Sequence, residues 1–325
     1  MLYPLKFQPI LKDKIWGGEK LNQHFNKNSN SKNSNSKNLG ESWEISTVPN
    51  DISVVSNGEL KGESLQDLVN NYKSAFLGEK NWDRFGNEFP LLIKFIDAKE
   101  DLSIQLHPND ELAKKRHNSF GKTEMWYVMQ ADKNANLIVG FKGEVDKATY
   151  LEHLENNTLT EILNFDTVKE GDTYFIEAGR VHAIGAGVLL AEIQQTSDVT
   201  YRVYDWDRVD DEGNGRELHN DIAIDAFDFE MENDFRVDYQ KEKNVSNDMV
   251  SCPFFTTNFM ELTSDLDIEN THDSFMIYMC VDGDVEVSVA GSSERISKGE
   301  TILIPAKIRN FKLKSSYGKL LEVYV

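Results

Sequence analysis

The 325-residue sequence lacks the features of several large protein classes. No apolar run reaches the roughly 18 residues that a membrane span needs. The first ten residues, MLYPLKFQPI, have neither the apolar stretch nor the cleavage site of a secretory signal. Only two cysteines are present, Cys252 and Cys280, and neither lies in a CxxC pair or beside a histidine. We therefore expect a cytoplasmic protein without a membrane role, whose cysteines are reduced core thiols.

Positive charge is scarce as well. The chain has 35 lysines and arginines against 55 aspartates and glutamates, a net charge of −20. This excess repels polyanions, so neither nucleic acid nor an anionic membrane is an expected partner. The same charge repels an anionic small substrate at long range. Any phosphate-binding site must therefore depend on a few locally placed cations.

Short strand-like segments dominate what is present. They are rich in β-branched and aromatic residues and are bounded by Gly, Asn and Asp, which is typical of antiparallel β-structure. These segments are residues 52–55, 91–96, 126–129, 174–176, 188–193, 276–281, 285–289, 301–304 and 320–325. Helical periodicity is convincing only at 64–77 and 146–163, which predicts helical insertions at about 62–78 and 145–164. The polar tract 26–38, NKNSNSKNSNSKN, is expected to be a mobile surface loop.

Two segments of the chain resemble each other. Residues 171–182 read GDTYFIEAGRVH and residues 299–310 read GETILIPAKIRN, each with a glycine turn, a strand and a second tight turn. Upstream, EMWYVM aligns with FMIYMC when Tyr127 is laid on Tyr278. The interval between this strand and the glycine is longer in the first copy, by about the length of the second predicted helix. We therefore expect two related β-barrels, the first with a helical insertion.

The repeated segment resembles the G-x5-P-x-G-x2-H pattern of the cupin barrel, a double-stranded jelly roll. Apart from the proline, Gly171, Gly179 and His182 fit this pattern. The predicted fold is therefore mainly β, with two cupin-like jelly-roll barrels. We assign a catalytic barrel with N-terminal strands to residues 1–235 and a plainer, degenerate barrel to residues 236–325.

The positions of the histidines in the sequence limit where a metal site can lie. Five histidines lie in polar or charged stretches and are expected at the surface: His24, His117, His153, His219 and His272. In SIQLHPND, strand alternation sends Ser103, Gln105 and His107 to one face. His182 ends the barrel segment, and Glu124 opens the strand after SIQLHPND. A carboxylate, two imidazoles and the amide oxygen of Gln105 would form a zinc-type site with open positions for water or substrate.

A purely structural interpretation of these residues stays open. Gln105 and Glu124 could cap strands, and His182 could be a hydrogen-bonded core histidine. The second barrel is a useful comparison, because Phe275 replaces Glu124 and Asn310 replaces His182 in the alignment. We expect that barrel to bind no metal.

Three longer segments carry a specific resemblance: SIQLHPND, GKTEMWYVM and GRVHAIGAGVLLAEIQQTSDVTYRVYDWDR. Together with KDKIWGG near the start and GESWEIS at 40–46, they resemble type I mannose-6-phosphate isomerase (phosphomannose isomerase) in its shorter bacterial form. The similarity covers most of residues 3–220 and weakens over the C-terminal barrel. The motifs are long and occur in the same order, which makes the resemblance specific.

The resemblance implies roles for individual residues. The metal ligands map to Gln105, His107, Glu124 and His182, around one divalent ion that is expected to be Zn²⁺. The family's arginine falls on Arg202. Its other polar positions fall on Ser103, Lys94, Lys122, Glu192, Asp198 and Arg208. The implied reaction interconverts mannose 6-phosphate and fructose 6-phosphate.

The chemistry of that reaction can be compared with these residues. An enediol intermediate places negative charge on O1 or O2, which a divalent metal and Arg202 could stabilise. Transfer of the proton between C1 and C2 needs a base, for which Glu192, Asp198 and a metal-bound water stay open. The phosphate could be bound by Lys94, Lys122 and Arg208 with the hydroxyl of Ser103. The resemblance also implies a catalytic role for Lys122.

Two other functions are compatible with a cupin barrel. A metal-dependent oxygenase usually has an H-x-H pair, and Gln105 in the place of the first histidine argues against it. A non-catalytic sugar-phosphate-binding protein would be expected to lose a ligand or Arg202, and all of these residues are present. For the isomerase we expect a sugar-phosphate substrate and a monomer or weak homo-oligomer.

Overall fold

The computed structural model describes residues 2–27, 38–209, 212–232, 234–289 and 291–325. Residues 28–37 form most of the Asn-rich tract and lie outside the described part of the chain. The expected mobility of that tract therefore stays a prediction. Strands of the first part of the chain are β1 Ile10–Gly18, β2 Leu39–Ile45, β3 Thr47–Val48, β4 Asp51–Ile52, β5 Leu91–Asp97, β6 Ile104–Leu106, β7 Glu124–Ala131, β8 Asn136–Phe141, β9 Leu163–Thr167, β10 Thr173–Ile176, β11 His182–Ile184, β12 Val188–Gln195 and β13 Tyr201–Tyr204. Those of the second part are β14 Asn247–Ser251, β15 Thr256–Leu262, β16 Leu266–Glu269, β17 Met276–Val289, β18 Ser292–Ser297, β19 Thr301–Ile304, β20 Asn310–Lys314 and β21 Gly318–Tyr324.

The helices are short and lie outside the sheets. They are α1 Lys20–Phe25, α2 Leu65–Tyr72, α3 Ser74–Leu77, α4 Glu79–Phe85, α5 Asp110–His117, α6 Lys147–Glu155 and α7 Asn220–Ala223, with a 3₁₀ turn at Leu159–Glu161. None of the described helices is long and apolar enough to cross a bilayer.

Both predicted helices are shorter than expected. The hydroxyl of Ser64 caps α2, but Lys73 has φ +51°, and this left-handed residue ends the helix and separates it from α3. The prediction of one helix over 64–77 is therefore wrong in its extent. The second helix ends at Glu155 because Asn157 is also left-handed (φ +56°), and Leu163 already begins β9.

Two facing sheets form the first barrel. One has six strands in the order β1-β2-β5-β12-β7-β10, and the other has five in the order β13-β6-β11-β8-β9. Paired strands are antiparallel, so alternate side chains of each strand point between the sheets. Inward residues such as Trp126, Val128, Leu190, Val139 and Ile184 share one buried cluster. The mainly β, cupin-like architecture is confirmed.

The second barrel is built around the long strand β17. This strand pairs with β18, β19, β20 and β21 and joins two segments predicted as separate strands, 276–281 and 285–289. Its interior holds Met260, Met276, Tyr278, Phe311 and Leu313 in a buried apolar cluster.

The internal repeat is confirmed in its turns and in the strand that follows. Gly171 and Gly299 have φ +86° and +83°, and each precedes a strand. The alignment of Tyr127 with Tyr278, however, is wrong by one residue. Tyr127 faces the core shared by the two barrels, whereas Tyr278 faces the interior of its own barrel.

Strand pairing gives the corrected alignment. Ile176 pairs with Glu124 in the first barrel, and its counterpart Ile304 pairs with Met276 in the second. Glu124 therefore corresponds to Met276 and not to Phe275. A shift of one residue moves every side chain to the opposite face of a strand, so this correction changes which residues point into the barrel.

Candidate metal centre

Strands from both sheets place three ligand-type side chains at one point inside the first barrel. His107 directly follows β6, His182 opens β11, and the two strands pair through Gln105 and His182. Glu124 opens β7 on the facing sheet. One ligand atom from each of His107, Glu124 and His182 lies within 4.8 Å of the other two, and all three side chains are buried.

Hydrogen bonds fix the orientation of both imidazoles. His107 Nδ1 lies 2.9 Å from the carbonyl oxygen of Val199, and His182 Nδ1 lies 2.8 Å from that of Arg180. A carbonyl can only accept, so each Nδ1 is assigned the ring proton and each Nε2 presents a lone pair. Burial lowers the pKa of His107 well below its ordinary value and that of His182 to about 4, which keeps both rings neutral.

The lone pairs of the two imidazoles and of Glu124 converge on one point. The two Nε2 atoms are 3.1 Å apart, and the Glu124 carboxylate oxygens lie 3.5 Å from His107 Nε2 and 3.4 Å from His182 Nε2. Both Glu124 oxygens are buried, and Lys122 Nζ forms an ion pair with Oε2 at 3.3 Å. Burial raises the pKa of this carboxyl to about 7. Two imidazole nitrogens and a carboxylate in this arrangement fit a divalent cation.

Gln105 borders the same point with its amide. Its nitrogen lies 3.5 Å from His182 Nε2, while its oxygen faces the hydroxyl of Ser103 at 3.4 Å. A half-turn of the amide plane exchanges the two atoms and turns the oxygen toward the histidines. Gln105 is half-buried, so it lies between the buried ligands and the exterior.

A buried ion pair lies beside the three ligands. Lys94 Nζ is 2.8 Å from Glu192 Oε1, and Trp126 Nε1 donates to Glu192 Oε2 at 2.9 Å. Although burial alone would raise it, Lys94 and Lys122 lower the pKa of Glu192 to about 2. Burial likewise opposes the charge of Lys94, but Glu192 and Glu41 raise its pKa above the ordinary value. Glu192 is therefore an anion held by two donors.

Comparison with known proteins shows the family of this chain. The model of the type I phosphomannose isomerase catalytic domain matches residues 4–139, and that of the mannose-6-phosphate isomerase cupin domain matches residues 246–325. A mannose-6-phosphate isomerase of Bacillus subtilis is 34% identical over 314 residues, 96% of each chain. One from Streptococcus mutans is 32% identical over 313 residues, 96% of this chain and 95% of the other.

The chain belongs to the type I phosphomannose isomerase family. Its fold agrees over the whole length, because a crystal structure of the mannose 6-phosphate isomerase from Bacillus subtilis superposes with a TM-score of 0.89. That structure is 30% identical to this chain, and the match covers 100% of both chains. The resemblance described for the sequence is thereby confirmed.

Four of the other predicted site residues, Ser103, Lys94, Lys122 and Asp198, lie on segments that carry or adjoin the candidate metal centre of this phosphomannose isomerase family member. Lys122 Nζ lies 3.3 Å from Glu124 Oε2, and Ser103 is buried next to Gln105. Lys94 and Lys122 each face a buried carboxylate, so their charge is largely balanced inside the protein. Asp198 is exposed and precedes Val199, the residue whose carbonyl holds His107.

A cluster of arginines lies at and after β13, the strand on which Arg202 pairs in register with Gln105, and only part of this cluster was predicted. Arg208 Nη2 and Arg216 Nη2 contact the same oxygen of Asp205, at 2.7 and 2.5 Å. Burial and nearby Arg216 lower the pKa of Arg202, which belongs to the same group of charges. Arg216 was missed, although it is the single cation in the acidic segment VDDEGNGRELHND. That isolation was the available signal.

The remaining histidines do not belong to the group of ligand-type side chains found among the described residues. His24 and His117 are exposed, and His153, His219 and His272 are half-buried. His219 also contacts the backbone of Arg202, a contact that the sequence did not indicate.

Proposed function

We propose that the chain interconverts mannose 6-phosphate and fructose 6-phosphate. The observation that carries this proposal is the convergence of three buried lone-pair donors in a protein of net charge −20. It is supported by Arg202, which pairs in register with Gln105 and interacts with the charges of Arg208 and Arg216. An isomerisation through an enediol needs a cation near the sugar oxygens and separate cations for the phosphate. The three converging side chains would hold the first, and the arginines would supply the others.

The ion would be held by His107, Glu124 and His182, with the amide oxygen of Gln105 as a further ligand after its half-turn. A bound divalent ion supplies a Lewis acid for the sugar oxygens at C1 and C2. Two imidazoles, a carboxylate and room for water or substrate are the donor set of many zinc sites, so we propose Zn²⁺.

Arg202 would add a fixed positive charge beside the developing oxyanion. One of its nitrogens, Nη1, donates to the carbonyl of Glu217 at 2.8 Å, while its buried Nε has no partner among the described residues. A buried donor without a partner costs free energy, which an oxyanion of the substrate would recover. Arg208, with Arg216 beside it, would bind the phosphate through guanidinium groups, and Ser103 and Lys122 would contact the sugar.

We assign the base to Asp198 in preference to Glu192. Both oxygens of Glu192 are engaged by Lys94 and Trp126, and a carboxyl with a pKa of about 2 is a weak base near neutral pH. The exposed carboxylate of Asp198 forms no hydrogen bond or ion pair with the described part of the chain. It would carry the proton between C2 and C1, while Glu192 holds Lys94 in place.

The assignment of the base is tested by Asp198→Asn. We expect the variant to lower kcat by about 10² to 10⁴-fold while it keeps its metal, because general base catalysis contributes rate enhancements of that order. The control is Asp221→Asn, which removes an exposed carboxylate from α7. Full activity of the Asp198 variant would show that another group is the catalytic base.

The function itself is tested by a coupled assay on mannose 6-phosphate, with and without a chelator. Turnover that chelation abolishes and Zn²⁺ restores is the expected result. Oxygen consumption with iron would instead indicate an oxygenase, and tight binding of the sugar phosphate without turnover would indicate a non-catalytic binding protein.

We propose a cytoplasmic protein, active as a monomer or weak homo-oligomer, whose partner is the sugar phosphate and which binds neither nucleic acid nor membranes. The high negative charge supports the absence of polyanionic partners.

A further inference from the structure

We infer that His219 is a positioning residue for Arg202. The inference rests on the proposed function, because Arg202 has its assigned role only there. His219 lies 17 residues along the chain from Arg202 and outside every sheet. It donates one hydrogen bond to Arg202 and accepts another from it.

The first observation concerns the backbone of Arg202. β13 is an edge strand of the five-stranded sheet, with β6 on one side only. On its other side, the backbone N–H of His219 donates to the carbonyl of Arg202 at 2.7 Å. The backbone N–H of Arg202 in turn donates to His219 Nδ1 at 3.0 Å. His219 thus replaces a missing neighbouring strand, with its ring nitrogen in the place of a carbonyl oxygen.

The second observation concerns the side chain of Arg202. Glu217, two residues before His219, accepts a hydrogen bond from Arg202 Nη1 through its carbonyl oxygen at 2.8 Å. The segment 217–219 therefore holds Arg202 at its backbone N–H, its carbonyl and one guanidinium nitrogen. Nε is left without a partner among the described residues.

His219 is itself held firmly. Its carbonyl accepts from the N–H groups of Ile222 and Ala223 at 3.1 and 2.9 Å, which ties it to α7. Arg116, at the end of α5, donates to the carbonyl of Ile222 at 2.9 Å. Because Nδ1 accepts a hydrogen bond, the ring proton is on Nε2. The position of Arg202 is thereby linked to two helices outside the barrel.

The consequence for catalysis follows from the geometry. A guanidinium that stabilises a developing oxyanion must be held in place before the reaction, and a displacement of about 1 Å can lower the rate on the order of 10²-fold. Removal of the ring acceptor releases the Arg202 N–H but leaves the metal ligands untouched.

The test compares His219→Ala with His219→Asn. The asparagine side-chain oxygen lies at the same distance along the side chain as Nδ1 and can accept the same hydrogen bond. We expect His219→Ala to lower kcat about tenfold or more with little change in KM or bound zinc, and His219→Asn to recover most of the loss. In an Arg202→Lys background, His219→Ala should have less than about a twofold effect, because coupled residues are not additive.

A second measurement does not depend on activity. The Arg202 amide should exchange its hydrogen about tenfold or more faster in His219→Ala than in the unmodified protein, and slowly again in His219→Asn. Equal kcat in His219→Ala and the unmodified enzyme, equal losses in both His219 variants, or the same loss with and without Arg202 would overturn the inference. Failure of the unmodified protein to isomerise mannose 6-phosphate, with exchange at Arg202 as expected, would instead refute the proposed function.

Discussion

The neutral imidazoles of His107 and His182 bring their Nε2 atoms within 3.1 Å of each other in the first barrel. This is possible because each ring carries its proton on Nδ1, the opposite nitrogen. The carbonyls of Val199 and Arg180 accept from His107 and His182 and so set both tautomers. Such backbone partners commonly orient metal-binding histidines and increase their basicity. These two backbone carbonyls therefore determine the orientation of the imidazoles and, with it, the geometry of the site.

Loss of either an oxygen or a nitrogen ligand should abolish metal binding. We expect Glu124→Gln and His182→Ala to be purified with far less than one equivalent of divalent metal, as measured by elemental analysis. His153→Ala, which removes a half-buried histidine outside the site, is the control and should retain its metal. Stoichiometric metal in the Glu124 and His182 variants would refute their assignment as ligands.

Metal binding should release a proton below neutral pH. The pKa of Glu124 is about 7 in the protein without metal, so this carboxyl is mostly protonated at pH 6 and must lose its proton to act as a ligand. The histidines are already neutral at that pH and contribute none. Calorimetry of Zn²⁺ binding in buffers of different ionisation enthalpy should give close to one released proton at pH 6 and few at pH 8.5. Equal release at both pH values would contradict this description.

The convergence of His107, Glu124 and His182 could be predicted from the sequence because their chemistry is unusual. Of seven histidines, only two lay in strand patterns of a barrel, and the structure places both beside Glu124. Arg216 and His219 were not predicted as site residues, because their roles depend on a loop folding back onto β13. The local pattern of His219 does not indicate that contact, and the one signal for Arg216 was its isolation among acidic residues.

At the scale of the element, strand register brings opposite charges together. Glu192 on β12 and Lys94 on β5 are direct partners in the register of the two strands, and both side chains point into the barrel. The pair is almost completely buried, with side-chain exposures of 4% and 7%. Removal of one partner leaves a charge in a poorly hydrated interior.

Replacement of Glu192 by Gln should therefore destabilise the protein by about 3 kcal/mol, measured by urea denaturation. The double variant Lys94→Met, Glu192→Gln should recover part of this loss, because it removes the unpaired charge. The exposed pair Lys312 and Asp267 provides a control, and Asp267→Asn should leave the midpoint nearly unchanged. A single variant as stable as the unmodified protein would show that the pair does not stabilise the barrel.

Elements were predicted more reliably as strands than as helices. β19 was predicted with its observed ends, since β-branched and aliphatic residues and a preceding glycine mark it clearly. The helix predicted at 64–77 failed because the left-handed conformation of Lys73 is not indicated by apolar spacing. The alignment of Tyr127 with Tyr278 failed because buried strands are apolar on both faces, which hides a shift of one residue.

At the scale of the whole molecule, the two barrels share one apolar core. The outer face of the six-stranded sheet, including Phe95 and Tyr127, packs with Phe259, Ile277 and Leu321 of the second barrel. The rings of Tyr127 and Phe259 are stacked at 6.2 Å. We propose that residues 1–235 form the catalytic unit and that residues 236–325 cover its apolar face.

A chain that ends at residue 235 should therefore be poorly soluble or aggregated, although it contains every proposed ligand. Its exposed sheet face would be far larger than the apolar patches of ordinary soluble monomers. Size-exclusion chromatography and circular dichroism of the truncated chain measure this directly. A soluble, monomeric and metal-binding truncated protein would contradict the structural role of the second barrel.

We propose that one divalent ion binds between His107, Glu124 and His182. The most direct test is anomalous X-ray diffraction at the zinc edge from crystals of the protein grown with Zn²⁺. We predict one strong peak inside the first barrel, about 2.0 to 2.2 Å from both Nε2 atoms and from a Glu124 oxygen. A map with no peak at this point, or with zinc bound only elsewhere, would contradict the claim.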